Sequence, residues 1–148
     1  MSKIDKVLVT GKTHTTVTGG ARAGRHDKVD LQLTAVPAIA PARAFEAVLA
    51  HPTAEQLFAG AWSACYTGAL DLAAQSLKVT LPSNLAVDIE VDLGQAGGDY
   101  FLQARLNVSL PGLDAETATA VAHKADQICP YSKAVRGNID VALNVTTA

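Results

Sequence analysis

The sequence has 148 residues, 49% of them hydrophobic, and a formal net charge of −2 at pH 7. A chain of this size buries roughly two-thirds of its unfolded surface in one domain, and this composition argues against disorder. The small negative charge provides no electrostatic basis for binding nucleic acid or an anionic membrane. The first residues lack the apolar stretch of a secretory signal, and no apolar run approaches roughly 18 residues, so we expect a cytoplasmic protein that does not span a membrane.

The first part of the chain shows the two-residue alternation of apolar and polar side chains that predicts β-strands. Residues 7–9 begin a short strand, which we expect to turn at residues 11–12 and to return over residues 13–18. Another strand is predicted at residues 29–33. Residues 37–52 contain several prolines and are the least regular part of the sequence, with a short helix expected within them.

A long helix is predicted from residue 53 onward. Thr53 is a favourable N-cap, and Gln56 three residues later completes a capping box. Apolar side chains then recur at steps of four and three residues, which predicts one buried stripe. They are Phe58, Trp62, Cys65, Ala69 and Leu72. Gly60 and Gly68 each cost about 1 kcal/mol inside a helix, a cost that is usually tolerated where another backbone must approach closely.

The second half of the chain returns to strand patterns around one further helix. Residues 85–110 alternate on both sides of Gly97-Gly98-Asp99, which predicts a hairpin with one buried and one solvent-exposed face. A second helix begins at Asp114 and stops at Pro130, and a last strand covers residues 139–145. Since strands and helices do not alternate strictly, we predict an α+β fold with a mostly antiparallel sheet.

Several kinds of site are excluded by spacing. The four histidines are scattered without the spacing of metal ligands, and no P-loop or dinucleotide motif is present, so we expect no metal and no cofactor. The two cysteines, Cys65 and Cys129, lie on different predicted helices and do not form a Cys-x-x-Cys motif. In the cytosol, a disulfide between them is more readily transient and catalytic than structural.

The residues alone leave the roles of the cysteines open. Cys65 lies on the predicted buried stripe, where a free cysteine is as readily a small core residue as a reactive one. Cys129 ends its helix, where we expect solvent to reach it, although a helix C-terminus disfavours a thiolate. Cys65 is the better nucleophile if a guanidinium lies near it, and the glycine-rich loop over residues 19–25 supplies Arg22 and Arg25.

Three motifs carry more information together than any of them does alone. They are Glu55-Gln-Leu-Phe-Ala followed by Trp62-Ser-Ala-Cys65-Tyr, the loop Thr18-Gly-Gly-Ala-Arg22-Ala-Gly-Arg25, and Cys129-Pro-Tyr-Ser-Lys-Ala-Val-Arg-Gly-Asn-Ile139. Together they resemble the organic hydroperoxide resistance (Ohr) branch of the OsmC/Ohr family, and the last motif is the most specific. The resemblance covers nearly the whole chain. It implies one OsmC/Ohr-like domain over residues 1–148, with two long central helices, in an intertwined homodimer.

The resemblance also implies a function and roles for individual residues. The protein would be a thiol-dependent peroxidase that reduces organic hydroperoxides, including those of fatty acids. Cys65 would be the peroxidatic thiol, and Cys129 the resolving thiol that forms a disulfide with it. Arg22 would stabilise the Cys65 thiolate and orient the peroxide, and Glu55 would hold Arg22 through an ion pair. Electrons would come from a dithiol reductant, a lipoylated protein.

Some features depart from the family pattern and leave alternatives open. Ala21 looks like an inserted residue ahead of Arg22, so Arg25 is the alternative catalytic arginine. Residues 38–50 replace the glycine-rich connector of the family, which affects the shape of the pocket. Candidates to bind the alkyl tail, each equally explained as ordinary core, are Leu57, Phe58, Trp62 and Ile128. The alternative function is a binding or structural dimer without peroxidase turnover.

Overall fold

The computed structural model describes residues 3–17, 29–37 and 52–148, the second of these ranges by its backbone. The elements in chain order are β1 Lys6–Val17, β2 Val29–Pro37, α1 Ala54–Leu77, β3 Ala86–Ala96, β4 Asp99–Ser109, α2 Ala115–Ile128, α3 Pro130–Val135 and β5 Asp140–Thr146. The strands form one sheet in the order β2-β1-β3-β4-β5. Strand β5 is parallel to β4, and the other neighbours are antiparallel. The predicted α+β class is therefore confirmed.

The core lies where α1 and α2 pack against each other and against the sheet. Its largest completely buried side chains are Trp62, Tyr66, Leu70, Val87, Ile89, Val91, Leu106, Val108, Leu110 and Val121. Burying each large apolar side chain contributes about 1.5–3 kcal/mol. The Tyr66 hydroxyl donates a hydrogen bond of 2.8 Å to the Ala122 carbonyl oxygen, which joins α1 to α2. None of the helices within the described ranges is long and apolar enough to cross a membrane.

The hairpin predicted over residues 85–110 is confirmed as β3 and β4. Ala96 pairs with Asp99, so the connecting loop consists of Gly97 and Gly98. Their φ angles are +57° and +96°. Two successive positive φ angles are typical of the tight turns that match the twist of a hairpin, and glycine adopts them without steric cost.

The hairpin's polar face carries a network centred on Asp92. The Arg105 guanidinium donates two hydrogen bonds to the Asp92 carboxylate, at 2.6 and 2.9 Å. Thr10 Oγ1 and Gln103 Nε2 donate two more, at 2.5 and 2.7 Å. Arg105 also donates to Glu90 at 2.6 Å. Because the Asp92 side chain is only 2% exposed, its negative charge depends on these donors rather than on water.

The turn expected at residues 11–12 is wrong, because β1 continues through it without a break. Gly11 pairs with Ala35 of β2 and with Val91 of β3. A Cβ atom at Gly11 would lie 2.6 Å from the amide nitrogen of Gln56. The glycine therefore marks the place where the first turn of α1 crosses the strand, and it does not reverse the chain.

The start of α1 is confirmed, but the predicted buried stripe is not. The Thr53 amide donates to Gln56 Oε1 at 2.7 Å, and the Gln56 amide donates to Thr53 Oγ1 at 3.2 Å, which completes the capping box. Leu72 is 49% exposed, so its place on the stripe is wrong. Because α1 is rich in alanine and leucine, apolar spacing does not single out one face. The buried side chains include Ala59, Trp62, Ser63, Tyr66, Ala69, Leu70 and Ala73.

The second predicted helix is confirmed, with an addition at its end. Asp114 Oδ1 accepts a hydrogen bond of 2.9 Å from the Thr117 amide and caps α2. Helix α2 ends at Ile128, and Pro130 then opens the short helix α3. Proline suits the first position of a helix because its fixed φ is helical, and because an N–H at that position would have no partner within the helix. The short helix expected around Phe45 lies outside the described residues.

Candidate active site

Two helical segments position the two cysteines. Cys65 lies near the middle of α1, and Cys129 joins α2 to α3. The Cys129 amide donates to the Ala125 carbonyl at 2.8 Å, and the Cys129 carbonyl accepts from the Lys133 amide at 3.1 Å. Cys129 therefore closes one helix and opens the next, and the backbone hydrogen bonds of both helices hold it in place.

The fold brings the two thiols into direct contact. The Sγ atoms of Cys65 and Cys129 lie 3.4 Å apart although the residues are 64 positions apart in the sequence. Both thiols are free in this structure. Since a disulfide bond is about 2.05 Å long, an approach of about 1.4 Å would join them. Once one sulfur has been oxidised to a sulfenic acid, the contact allows the other to attack it.

The two thiols differ in their access to solvent. Cys129 is completely buried, so the expectation that solvent reaches it is wrong. The reason is α3, which begins at the next residue and packs against both α1 and α2. Cys65 is only half-buried. A reagent that arrives from solvent therefore meets Cys65 before Cys129.

The surroundings of Cys65 act on its thiol in opposite directions. Burial raises the pKa of Cys65, a hydrogen bond from the Tyr131 backbone amide lowers it, and the neighbouring Cys129 thiol raises it again, so that the pKa lies above its ordinary value. A raised pKa leaves less of the nucleophilic thiolate at neutral pH. The described surroundings thus raise the pKa of Cys65 on balance. A cation near Cys65, the role implied for Arg22, would have to offset this increase as well as favour the thiolate.

Tyr131 is a residue of the site that the sequence analysis missed. It follows Pro130 in the first turn of α3, where backbone amides have no partner within the helix. The amide of Tyr131 is the one that lowers the pKa of the Cys65 thiol. The signal in the sequence was Pro130 itself. A proline after the end of one helix prevents that helix from continuing, but it can also begin the next one.

A buried tryptophan lies one turn before Cys65 on α1. Trp62 has no exposed surface, and its Nε1–H donates a hydrogen bond of 3.1 Å to Ser132 Oγ on α3. Phe58 packs edge-on against Trp62, with ring centroids 5.8 Å apart and an interplanar angle of 66°. Ser132 was also missed, since nothing in its neighbourhood in the sequence indicates a partner 70 residues away.

The four residues predicted to line the substrate pocket lie in different environments. Leu57 is 55% exposed, Trp62 is completely buried, and Phe58 and Ile128 are half-buried. Trp62 therefore belongs to the core of this chain, whereas Leu57 is accessible at the surface of α1. A role in substrate binding stays a prediction for all four.

Glu55 is half-buried in the first turn of α1, where its Cβ lies against Gly11 of β1. The salt bridges found among the described residues do not include Glu55. Its predicted partner Arg22, and the alternative Arg25, lie outside the described residues, so the ion pair stays a prediction. In the part of the chain that the structure covers, no group of three or more His, Cys, Asp or Glu side chains could hold a metal ion.

Comparison with known proteins gives the same family in sequence and in structure. Residues 45–144 match the family model for OsmC-like proteins. The organic hydroperoxide resistance protein of Xanthomonas axonopodis pv. citri is 35% identical over 156 aligned positions, which cover 98% of this chain and 99% of the relative. Among solved structures, an organic hydroperoxide resistance protein from Elizabethkingia anophelis is 32% identical, with 87% of this chain and 95% of that chain covered and a TM-score of 0.63. OhrB of Bacillus subtilis is 33% identical, with 66% and 73% covered and a TM-score of 0.61. The chain therefore belongs to the OsmC/Ohr family, within which it is similar to the organic hydroperoxide resistance proteins.

Proposed function

We propose that this protein is a thiol-dependent peroxidase that reduces organic hydroperoxides, including fatty-acid hydroperoxides, to alcohols. The observation that carries the proposal is the 3.4 Å contact between Cys65 and Cys129. It supports the proposal because it occurs in a chain whose relatives are named for organic hydroperoxide resistance. The more accessible Cys65 is the peroxidatic thiol, and the buried Cys129 is the resolving thiol.

The reaction proceeds in three steps. The Cys65 thiolate attacks one oxygen of the hydroperoxide and breaks the O–O bond, the departing alkoxide takes up a proton to become the alcohol, and Cys65 becomes a sulfenic acid. The Cys129 sulfur then attacks the Cys65 sulfur, so that a disulfide forms and water leaves. An external dithiol, carried on a lipoylated protein, reduces the disulfide by two successive exchanges. Fast disulfide formation protects Cys65 from irreversible oxidation.

The thiolate population accounts for only part of the rate. An ordinary thiol with a pKa near 8.5 is about 3% ionised at pH 7, so relative to such a thiol complete ionisation would raise the rate at most about thirtyfold, or about 2 kcal/mol. We therefore assign a second task to the Arg22 guanidinium, which donates hydrogen bonds to the peroxide oxygens as charge moves onto the leaving alkoxide. Glu55 orients Arg22 through an ion pair and takes no part in the chemistry.

The protein acts as a cytoplasmic homodimer in this proposal. Leu57 and Leu72 on α1 are 55% and 49% exposed, so this helix has apolar side chains that a second subunit could cover. With a second subunit over this surface, Leu57 and the half-buried Phe58 and Ile128 would contribute to an apolar pocket for the alkyl tail. Such a pocket would explain a preference for organic peroxides over hydrogen peroxide.

A thiol count after one equivalent of cumene hydroperoxide tests the proposal. We expect the reduced wild-type protein to lose both thiols and to release the alcohol. Cys129→Ser should lose its remaining thiol to a sulfenic acid, and Cys65→Ser should keep its thiol. If the wild type kept both thiols, a binding or structural dimer would be the better description. Full cycling of Cys129→Ser with a dithiol would refute the resolving role.

The choice between Arg22 and Arg25 is tested by comparing two alanine variants. If Arg22 stabilises the thiolate, its loss raises the pKa of Cys65, because a nearby positive charge favours the ionised form. The pH dependence of Cys65 alkylation by iodoacetamide should therefore move to higher pH in Arg22→Ala but not in Arg25→Ala. The opposite result would assign the role to Arg25.

A further inference from the structure

We propose that Trp62 and Ser132 are positioning residues that hold Cys129 against Cys65, an inference that rests on the proposed disulfide step. The Trp62 Nε1–H donates to Ser132 Oγ at 3.1 Å, and Trp62 and Ser132 are 0% and 2% exposed. Trp62 lies three residues before Cys65, and Ser132 lies three residues after Cys129. The bond therefore joins the two segments that carry the thiols.

Each end of this hydrogen bond is rigidly related to one cysteine. On α1, three residues correspond to less than one helical turn, about 4.5 Å along the axis. On α3, the Cys129 carbonyl accepts from the Lys133 amide and the Ser132 carbonyl accepts from the Arg136 amide, both at 3.1 Å. Because the backbone is helical on both sides, a movement of Ser132 relative to Trp62 also moves Cys129 relative to Cys65.

The other side-chain attachment of α3 does not reach α1. Arg136 donates to Asp126 Oδ2 at 2.7 Å, but this pair ties the end of α3 to α2, and the Arg136 side chain is 51% exposed. Among the described residues, the hydrogen bond that joins a side chain of α1 to a side chain of α3 is the one from Trp62 to Ser132. It therefore helps to fix how α3 lies on α1 after the junction at Cys129.

Loosening the bond between Trp62 and Ser132 would affect Cys65 in two ways. The Sγ atoms, now 3.4 Å apart, must close by about 1.4 Å for a disulfide to form, and disulfide geometry tolerates little error. In addition, the Tyr131 amide that donates to Cys65 lies between Pro130 and Ser132 on the same short helix. Loosening α3 should therefore weaken disulfide formation and remove a donor from the Cys65 thiolate.

The thiol–disulfide equilibrium with glutathione measures the first consequence without any peroxide. One oxidised glutathione is reduced to two glutathione thiols as Cys65 and Cys129 are oxidised to the disulfide. In Ser132→Ala, we expect the equilibrium constant for disulfide formation to fall by about tenfold or more, since deviations from disulfide geometry store strain and make the bond easier to reduce. Trp62→Phe, which keeps a ring but lacks the N–H, should behave similarly. Ser132→Thr keeps the acceptor and should restore most of the value.

Thr15→Val is the matched control. Thr15 shares a buried hydrogen bond of 2.6 Å with Ser63 between β1 and α1, so this variant loses a buried hydroxyl without loosening α3. The inference would be overturned if the equilibrium constant for disulfide formation were the same in Ser132→Ala and Trp62→Phe as in Thr15→Val. If Ser132→Ala does not fold, Trp62→Phe decides the question. If neither variant folds, the inference is also overturned, because the bond would then maintain the fold as a whole.

The inference and the proposed function can fail separately. In the first case, the wild-type protein does not consume hydroperoxide, but Ser132→Ala changes the glutathione equilibrium and Thr15→Val does not. This result would refute the peroxidase function and support the positioning role. A wild-type protein that consumes hydroperoxide, with an equilibrium constant unaffected by Ser132→Ala and Trp62→Phe, would refute the positioning role alone.

Discussion

Replacing Gly11 by alanine tests the close approach of α1 to β1, which also places Glu55. A Cβ atom at Gly11 would lie 2.6 Å from the Gln56 amide nitrogen, 2.6 Å from the Glu55 carbonyl carbon and 2.8 Å from Glu55 Cβ. Ordinary carbon contacts are about 3.5–4.0 Å, so strand and helix would have to separate by about 1 Å. Two of the three atoms are backbone atoms of a capped helix and cannot rotate away.

The expected loss of stability follows from these contacts. Overpacking usually costs about 1–3 kcal/mol, and a backbone obstacle places Gly11→Ala near the upper end. Alanine is intrinsically better than glycine in a strand by about 0.5–1 kcal/mol, which offsets part of the cost. We therefore expect the free energy of unfolding to fall by about 2 kcal/mol, or about thirtyfold in the folding equilibrium constant.

Urea unfolding followed by circular dichroism, at one protein concentration, measures this change as a lower midpoint with an unchanged slope. Gly94→Ala in β3 is the control, because the three nearest neighbours of its Cβ, at 2.2–2.8 Å, would all be side-chain atoms of Ile4 and not backbone atoms. We expect it to lose less than about 1 kcal/mol. Hydroperoxide turnover of the folded Gly11→Ala protein should also fall, since Glu55 is displaced. If Gly11→Ala were no less stable than Gly94→Ala, the described contact between α1 and β1 would be refuted.

Two further predictions concern the polar network on the other face of the sheet. Arg105→Ala leaves the buried Asp92 carboxylate without its cation, and we expect the free energy of unfolding to fall by about 3 kcal/mol. Arg136→Ala breaks a half-exposed pair with Asp126 and should lower the free energy of unfolding by less than about 1 kcal/mol. If urea unfolding showed the same loss for Arg105→Ala and Arg136→Ala, burial of Asp92 would not be the cause of the larger effect. Burial opposes ionisation of Asp92, but its hydrogen bonds, led by those from Arg105, hold its pKa below the usual range. The folded pKa is thus lower than the unfolded value of about 3.9, so this contribution is complete above about pH 5 and is lost as the pH falls towards the folded pKa. When the pH is lowered from neutral to about 3, the free energy of unfolding should fall less in Asp92→Asn than in the wild type. An identical pH dependence in the two proteins would contradict a lowered pKa for Asp92.

The sequence by itself identified the features that depend on neighbouring residues. The capping box of Thr53 and Gln56, the alternation around Gly97-Gly98, and the end of α2 before Pro130 are all confirmed. Each is determined within a few residues, by a hydrogen bond to the next turn, by a φ angle that glycine allows, or by a missing amide. The family was also recognisable, because the residues around both cysteines carry its motifs.

Other features were decided only when distant segments met. Gly11 was expected to turn the chain, and the structure instead uses it where α1 crosses β1. Cys129 was expected at a solvent-accessible helix end and is completely buried, because α3 packs over it. Ser132 lies in the motif after Cys129, but nothing in that motif indicates that it accepts a hydrogen bond from Trp62, 70 residues earlier. The sequence identified the two thiols, but their 3.4 Å contact depends on the packing of three helices, which is a sum of contacts between residues far apart in the chain that no local pattern reports.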